Sequence, residues 1–229
     1  MENFEKYARQ IALDNFGEAG QKKLASAHIV IAGVGGVGSA VLPLLTGAGV
    51  GRISIFDCDN VSKSNLHRQT LYTFEDIGKP KAELAGQFVR SRNPDCNVDC
   101  FCERLSELIA DDIFSDQTIC IDATDSFASR MEIAKICRKH NVRAISASAE
   151  GFIAQNFLFG DGFYFDDIME KSAEQEMSQG VAILPPVAHI SGVLSANATI
   201  KSIVWDDFKV GQFLSFNLKT MKFLSGNLR

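Results

Sequence analysis

The residues able to do chemistry gather in five short runs of the chain. Gly33, Gly35, Gly36 and Gly38 stand as GVGGVG, Asp57 and Asp59 in DCDNV, Asn65, Arg68 and Gln69 in SNLHRQ, Lys81 in GKPKAE, and Asp122 and Asp125 in DATDS. Glycines in such a run permit a tight turn and close backbone approach, and a helix that follows offers free N–H groups and the positive end of its dipole to a phosphate. Asp57 follows about twenty residues on, where a carboxylate can accept hydrogen bonds from ribose hydroxyls. The turn alone leaves NAD, FAD and ATP open. The other runs discriminate: hydride transfer asks for an apolar nicotinamide slot and one acid/base group, whereas several cations, amides and carboxylates on one rim suit a reaction at a phosphate.

These runs need elements to hold them. HIVIA (28–32) reads as a short buried strand, followed by the glycine turn and an apolar helix, SAVLPLLTGAG. RISIF (52–56) is a second strand that ends on Asp57, and the polar DCDNVSKSNLHRQ is a loop. Lys81 to Arg92 has apolar residues at helical spacing and stops before Asn93-Pro94. NVDCFC and Thr118 to Ile121 are strands, Phe127 to His140 is helical in period, and Val142 to Ser146 is a strand again. This alternation predicts an α/β, Rossmann-like, doubly wound and mostly parallel sheet with helices on both faces and sites at the carboxyl ends of its strands. After Glu150 a strand (QNFLFG), a long acidic loop from Asp161 to Gly180, a helix near Val187 to Val204 and a hairpin (QFLSFNL, MKFL) are expected as an antiparallel extension. One domain over 1–229 is expected, with a nucleotide-binding core in 1–150.

Composition agrees with a globular chain of 229 residues, 46% apolar and 22% charged. A net charge of −5 gives no basic footprint for nucleic acid or an anionic membrane. MENFEKYARQ lacks an apolar run, and Val181 to Ile200 is broken by Pro185, Pro186, His189 and Asn197, so neither a secretion signal nor a membrane span is expected. The expected location is cytoplasmic. The six cysteines, all at or before Cys137 and without a C-x-x-C pair, read as free thiols. Cys100 and Cys102 alternate on the NVDCFC strand and are expected to be buried on one face.

From KYARQ through GVGGVG, DCDNVSKSNLHRQ, GKPKAE and DATDSFASR to the late helix, the chain resembles the ThiF/MoeB/HesA family, the bacterial relatives of ubiquitin-activating enzymes. The resemblance implies adenylation of the C-terminal glycine of a small ubiquitin-like sulfur carrier of the ThiS or MoaD type, ending in Gly-Gly, with release of pyrophosphate. It implies ATP bound by Gly33, Gly35, Gly36, Gly38, Asp57, Asp59, Asn65, Arg68, Gln69 and Lys81. Arg68 and Lys81 would act as catalytic cations, and Asp125 would hold Mg²⁺. Arg9, in YARQ, would reach the ATP of a neighbouring subunit in a homodimer, and residues 151–229 would bind the carrier. The chemistry fits independently. A terminal carboxylate, with a pKa of about 3.5, is already an anionic nucleophile at neutral pH, so the obstacle is charge repulsion rather than a missing base.

The chain departs from the family in three places. It has no cysteine after Cys137, so the two C-x-x-C pairs of a structural zinc site are missing, no zinc is expected, and a separate sulfur donor is implied. Ser126 replaces an amide residue in the run after the fourth strand. The loop from Asp161 to Gly180, with Phe163, Tyr164 and Phe165, is expected to order over the carrier's tail. Asp122 is read as capping a turn and Arg130 as pairing with a carboxylate, both outside the catalytic set. The rival readings are adenylation of a threonylcarbamoyl carboxylate on tRNA, an NAD-binding oxidoreductase, and a scaffold subunit that has lost the reaction.

Overall fold

A computed structural model describes residues 4–115, 118–169 and 182–229. The first half runs α1 (Ala8–Ile11), α2 (Gly17–Ser26), β1 (His28–Ala32), α3 (Gly38–Ala48), β2 (Arg52–Phe56), α4 (Lys81–Arg92), β3 (Asn97–Phe101), α5 (Glu107–Ile113), β4 (Thr118–Asp122) and α6 (Phe127–Lys139). The second runs β5 (Arg143–Glu150), β6 (Ile153–Phe159), α7 (Phe165–Met169), α8 (Pro185–Trp205), β7 (Gln212–Asn217) and β8 (Lys222–Asn227). The strands form one eight-stranded sheet in the order β3-β2-β1-β4-β5-β6-β7-β8. Pairing is parallel from β3 to β5 and antiparallel from β5 to β8, as the alternation predicts.

Burial on both faces explains the short apolar strands. In β1 the β-branched Ile29 and Ile31 point into one core, with α2, α3, α4 and α8, while Val30 and Ala32 point into the other, with α5, α6 and α7. Strand order reverses between β1 and β4, which opens a crevice at their carboxyl ends. Register levels the three strand ends there, because Ala32 pairs with Phe56 on one side and Asp122 on the other. The loops beginning at Gly33, Asp57 and Ala123 therefore leave the sheet together.

Helix ends follow local chemistry. Pro80, with φ near −62°, stands before Lys81 and gives up no needed N–H, and α4 runs out at Asn93 before Pro94. Pro185 and Pro186 open α8 in the positions where proline is tolerated.

Several expectations change. Three helices ahead of the 161–180 segment, α1, α2 and α5, were not expected from the sequence. β5 runs on to Glu150, because its second half pairs with β6. The described part of the 161–180 segment is structured: a turn joins Gly160 to Phe163, α7 follows, and Tyr164 and Phe165 are buried in the second core. Arg138 fixes this stretch through Gly162 O, Asp166 and Asp167. Those aromatics pack inward and are not presented to a partner, and residues 170–180 lie outside the described residues. Cys100 is half-buried and Cys102 exposed, since β3 ends at Phe101 and Cys102 begins the loop. Among the described residues no helix is long and apolar enough to cross a membrane.

Candidate active site

The glycine turn is built by contacts that leave no room for side chains. Gly33 has φ +92°, and a Cβ there would lie 2.8 Å from Ala123 O. A Cβ on Gly38, the first residue of α3, would lie 2.3 Å from Gly33 O, so the turn folds tightly onto itself. No side chain caps α3; its Ser39 and Ala40 N–H groups bond the turn itself, at Gly35 O (2.9 Å) and Val37 O (3.0 Å). Above the turn, Gln69 Nε2 sits 3.3 Å from the Cβ position of Gly35. The Arg68 stem and Ala188, on α8, close on Gly36 at 3.4 and 3.1 Å.

Asp57, at the end of β2, ties two loops together. Its Oδ2 accepts from Val34 N at 2.9 Å and its Oδ1 from Asp59 N at 2.9 Å. Burial holds its carboxyl above the usual carboxylate range, against the opposing pull of Lys81 and the two N–H groups. Lys81 is buried, with a side chain 5% exposed, and its ammonium bonds Asp59 Oδ2 at 2.8 Å, while Asp59 is 66% exposed. One side of the pair is thus sealed in protein and the other open to an incoming ligand. Tyr72 joins the glycine turn to α4, donating to Val34 O at 2.8 Å with Lys81 O at 3.5 Å. Nothing in LYTFED marked Tyr72 beforehand, because Leu71 and Phe74 beside it make it read as one more apolar residue of the loop.

Asn65 organises the basic run. Its Oδ1 accepts from Ser62 N at 3.1 Å and its carbonyl accepts from Arg68 N and Gln69 N, both at 3.0 Å. Among the described residues the Arg68 guanidinium bonds Ser64 O and the His67 ring and no carboxylate. Gln69 is buried, and among the described residues its Oε1 has no hydrogen-bond partner. An unmet buried acceptor beside Gly35 fits a site completed by a ligand.

The DATDS run closes the rim from β4. Ala123 packs on Gly33, Asp122 accepts from Thr124 N at 3.1 Å, and Ser126 caps α6 by accepting from Ser129 N at 3.1 Å. Asp122 does cap its turn, as expected. Arg130 does not pair with a carboxylate; it bonds Thr124 O, Ser146 Oγ and Ala147 O. Asp125 is exposed and free of partners among the described residues. No group of three His, Cys, Asp or Glu side chains among the described residues could hold a metal ion. A divalent cation would rely on Asp125 together with ligand oxygens, an arrangement Mg²⁺ accepts.

Arg9 is not brought to this rim within the chain. Tyr7 and Gln10, flanking it on α1 and the turn before, meet Gly49 and Ala48 at the far end of α3. That end lies about 16 Å along the helix from the glycine turn.

The chain is an adenylyltransferase, as its family and its named relatives show. The ThiF family profile matches residues 7–229, and the chain belongs to the ThiF family. It is 32% identical to the sulfur carrier protein ThiS adenylyltransferase of Escherichia coli over 99% of this chain and 92% of that one. It is also 32% identical to the probable molybdopterin-synthase adenylyltransferase of Gracilaria tenuistipitata, covering 96% of this chain but only 63% of the longer algal protein. The crystal structure of E. coli MccB with ATP has the same fold, with a TM-score of 0.82 at 23% identity over 99% of this chain and 72% of that one.

Proposed function

We propose that this chain uses ATP and Mg²⁺ to adenylate the C-terminal glycine carboxylate of a small ubiquitin-like sulfur-carrier protein, releasing pyrophosphate. The observation that supports the reading is the pair of cations beside the glycine turn: the Arg68 stem lies 3.4 Å from the Cβ position of Gly36, and the Lys81 ammonium is held on Asp59, two residues after Asp57. Similarity to a ThiS adenylyltransferase along nearly the whole chain supports the choice of substrate.

Gly33, Gly35, Gly36 and Gly38 admit the phosphates to the backbone, and Asp57 accepts from ribose hydroxyls. Asn65, Asp59 and Gln69 frame the phosphate side. The carrier's carboxylate attacks the α-phosphorus, the bond to the β-phosphate oxygen breaks, and pyrophosphate leaves. Two anions must approach in line, so fixed positive charge is what lowers the barrier. Arg68 and Lys81 supply it. Lys81 would exchange part of its bond to Asp59 for phosphate oxygen, and Arg68 has no carboxylate among the described residues to give up. Asp125 would hold Mg²⁺, which when bound neutralises further phosphate charge.

Arg9 completes the site from the partner of a homodimer, which accounts for its distance from the rim of its own chain. Residues 151–229, with α8 and the β7–β8 hairpin, receive the carrier. Residues 138–229 contain no cysteine, so the acyl-adenylate passes to a separate sulfur donor. One domain spans the chain, and the setting is cytoplasmic.

ATP–pyrophosphate exchange tests the reading. Exchange should depend on a carrier ending in Gly-Gly and vanish when the last glycine is removed. Exchange that responds to tRNA and not to any carrier would transfer the assignment to a nucleic-acid-borne carboxylate. Nicotinamide-cofactor binding without ATP binding would replace it with an oxidoreductase.

A further inference from the structure

The loop that carries Asp125 is held by a buried cation for which the proposed chemistry has no use. Arg130, on α6, is 4% exposed. A guanidinium so buried ordinarily sits on a carboxylate, yet Arg130 bonds neutral oxygens through Nη1 and Nη2, and among the described residues its buried Nε has no partner. Nη2 donates to Thr124 O at 2.6 Å and to Ala147 O at 3.0 Å, and Nη1 donates to Ser146 Oγ at 3.1 Å. The serine hydroxyl passes the connection on, donating to Asp122 Oδ2 at 2.9 Å. Asp122 Oδ1 in turn accepts from Thr124 N at 3.1 Å and from Thr124 Oγ1 at 2.7 Å. Thr124 is therefore gripped at its N–H by the carboxylate and at its C=O by the guanidinium, with Ser146 linking the two charges.

Every neighbour of Asp125 is fixed. Ala123 is packed against Gly33, Thr124 is held as above, and Ser126 caps α6. Among the described residues the Asp125 carboxylate, exposed at the tip of this loop, has no partner. A loop this constrained around one free acid is what a weakly held, water-rich cation needs, because Mg²⁺ demands near-ideal geometry from few protein ligands.

We infer that Arg130 is a positioning residue: through Thr124, Ser146 and Asp122 it fixes the DATDS loop so that Asp125 faces the metal of the bound nucleotide. The inference rests on the proposed reading of Asp125. The alternative is that Arg130 only ties β4 to β5, which would affect stability and leave metal binding unchanged.

Calorimetric binding of a non-hydrolysable ATP analogue, titrated with Mg²⁺, separates the two, together with amide hydrogen exchange of residues 123–126. In Arg130→Lys the Mg²⁺ affinity of the nucleotide complex should fall about tenfold, the size found for residues that orient a metal ligand. Metal-free nucleotide binding should stay at the wild-type level. Amides of the loop should exchange faster while those inside β4 do not. Ser146→Ala should change the same quantities in the same direction by less. A folded Arg130→Lys protein with wild-type Mg²⁺ affinity and wild-type loop exchange overturns the inference. Should that variant not fold, wild-type behaviour in Ser146→Ala overturns it. Wild-type Mg²⁺ affinity in Asp125→Asn would remove the metal reading itself, a failure distinct from either.

Discussion

Lys81 and Asp59 divide one ion pair between protein and solvent, and that division gives the site its character. A lysine buried and bonded to Asp59 cannot follow water, so its charge is fixed before the ligand arrives, and fixed charge is what a crowded phosphate transition state rewards. Lys81→Ala and Arg68→Ala should each slow carrier-dependent pyrophosphate exchange by about 3 kcal/mol or more in barrier, a loss of two orders of magnitude or greater. Exchange kinetics with saturating ATP check this, and near wild-type rates in both variants would dismiss the assigned roles. At this scale the sequence was informative where spacing carries the meaning: the glycine turn, Asp57, the SNLHRQ run and Lys81 all meet at one rim. It was silent where meaning lies in a contact between distant segments. Tyr72 reaching Val34 O, Ala123 filling the space beside Gly33 and Arg130 gripping Thr124 have no local signature.

At the scale of elements, strands buried on both faces and the helices between them were legible because their apolar patterns are strong. The helix read at Lys81 to Arg92 matches α4 residue for residue. α2 escaped notice because GEAGQKKLAS buries only Gly20, Gln21 and Leu24, and α5 because seven residues hold barely two turns. The aromatic run 163–165 read as an exposed loop because its packing partners, on β6 and α6, lie elsewhere in the chain.

The amino end of the sheet carries a titrating device. His28, on β1, bonds Ser54 Oγ of β2 at 2.9 Å. Burial, helped by Arg52, lowers its pKa from 6.5 to about 4. Between those values the unfolded chain binds a proton that the folded one refuses. Folding stability from this group is therefore complete above pH 6.5 and falls as pH drops toward 4. The loss attributable to His28 should be about 2 kcal/mol, less than the full shift implies because the ring is not wholly shut off from water. Asp57, whose carboxyl is raised, works in the opposite direction near its own range. The check is therefore a difference: urea unfolding of wild type and His28→Asn from pH 7.5 to 4.5, with the variant losing less stability over that span. Parallel pH profiles would contradict the assignment.

On the scale of the whole molecule, the proposed function has a second copy lend Arg9 to the site. α1 is anchored at the end of α3 remote from the glycine turn. If Arg9 acts across the dimer, Arg9→Ala and Lys81→Ala proteins, each inactive alone, should regain activity when unfolded and refolded together. Random pairing would restore about a quarter of the wild-type rate, from mixed dimers with one intact site. A mixture as inactive as its components would place Arg9 outside the site.

The claim beneath all of this is that the chain makes a covalent carrier adenylate. Intact-mass spectrometry of a carrier ending in Gly-Gly, incubated with the protein, ATP and Mg²⁺ and quenched in acid, addresses it directly. The account predicts a carrier species heavier by one adenylyl group, seated on the terminal glycine by fragmentation and missing when Lys81→Ala replaces the wild-type protein. A carrier that keeps its original mass while ATP is bound and pyrophosphate never appears would contradict it.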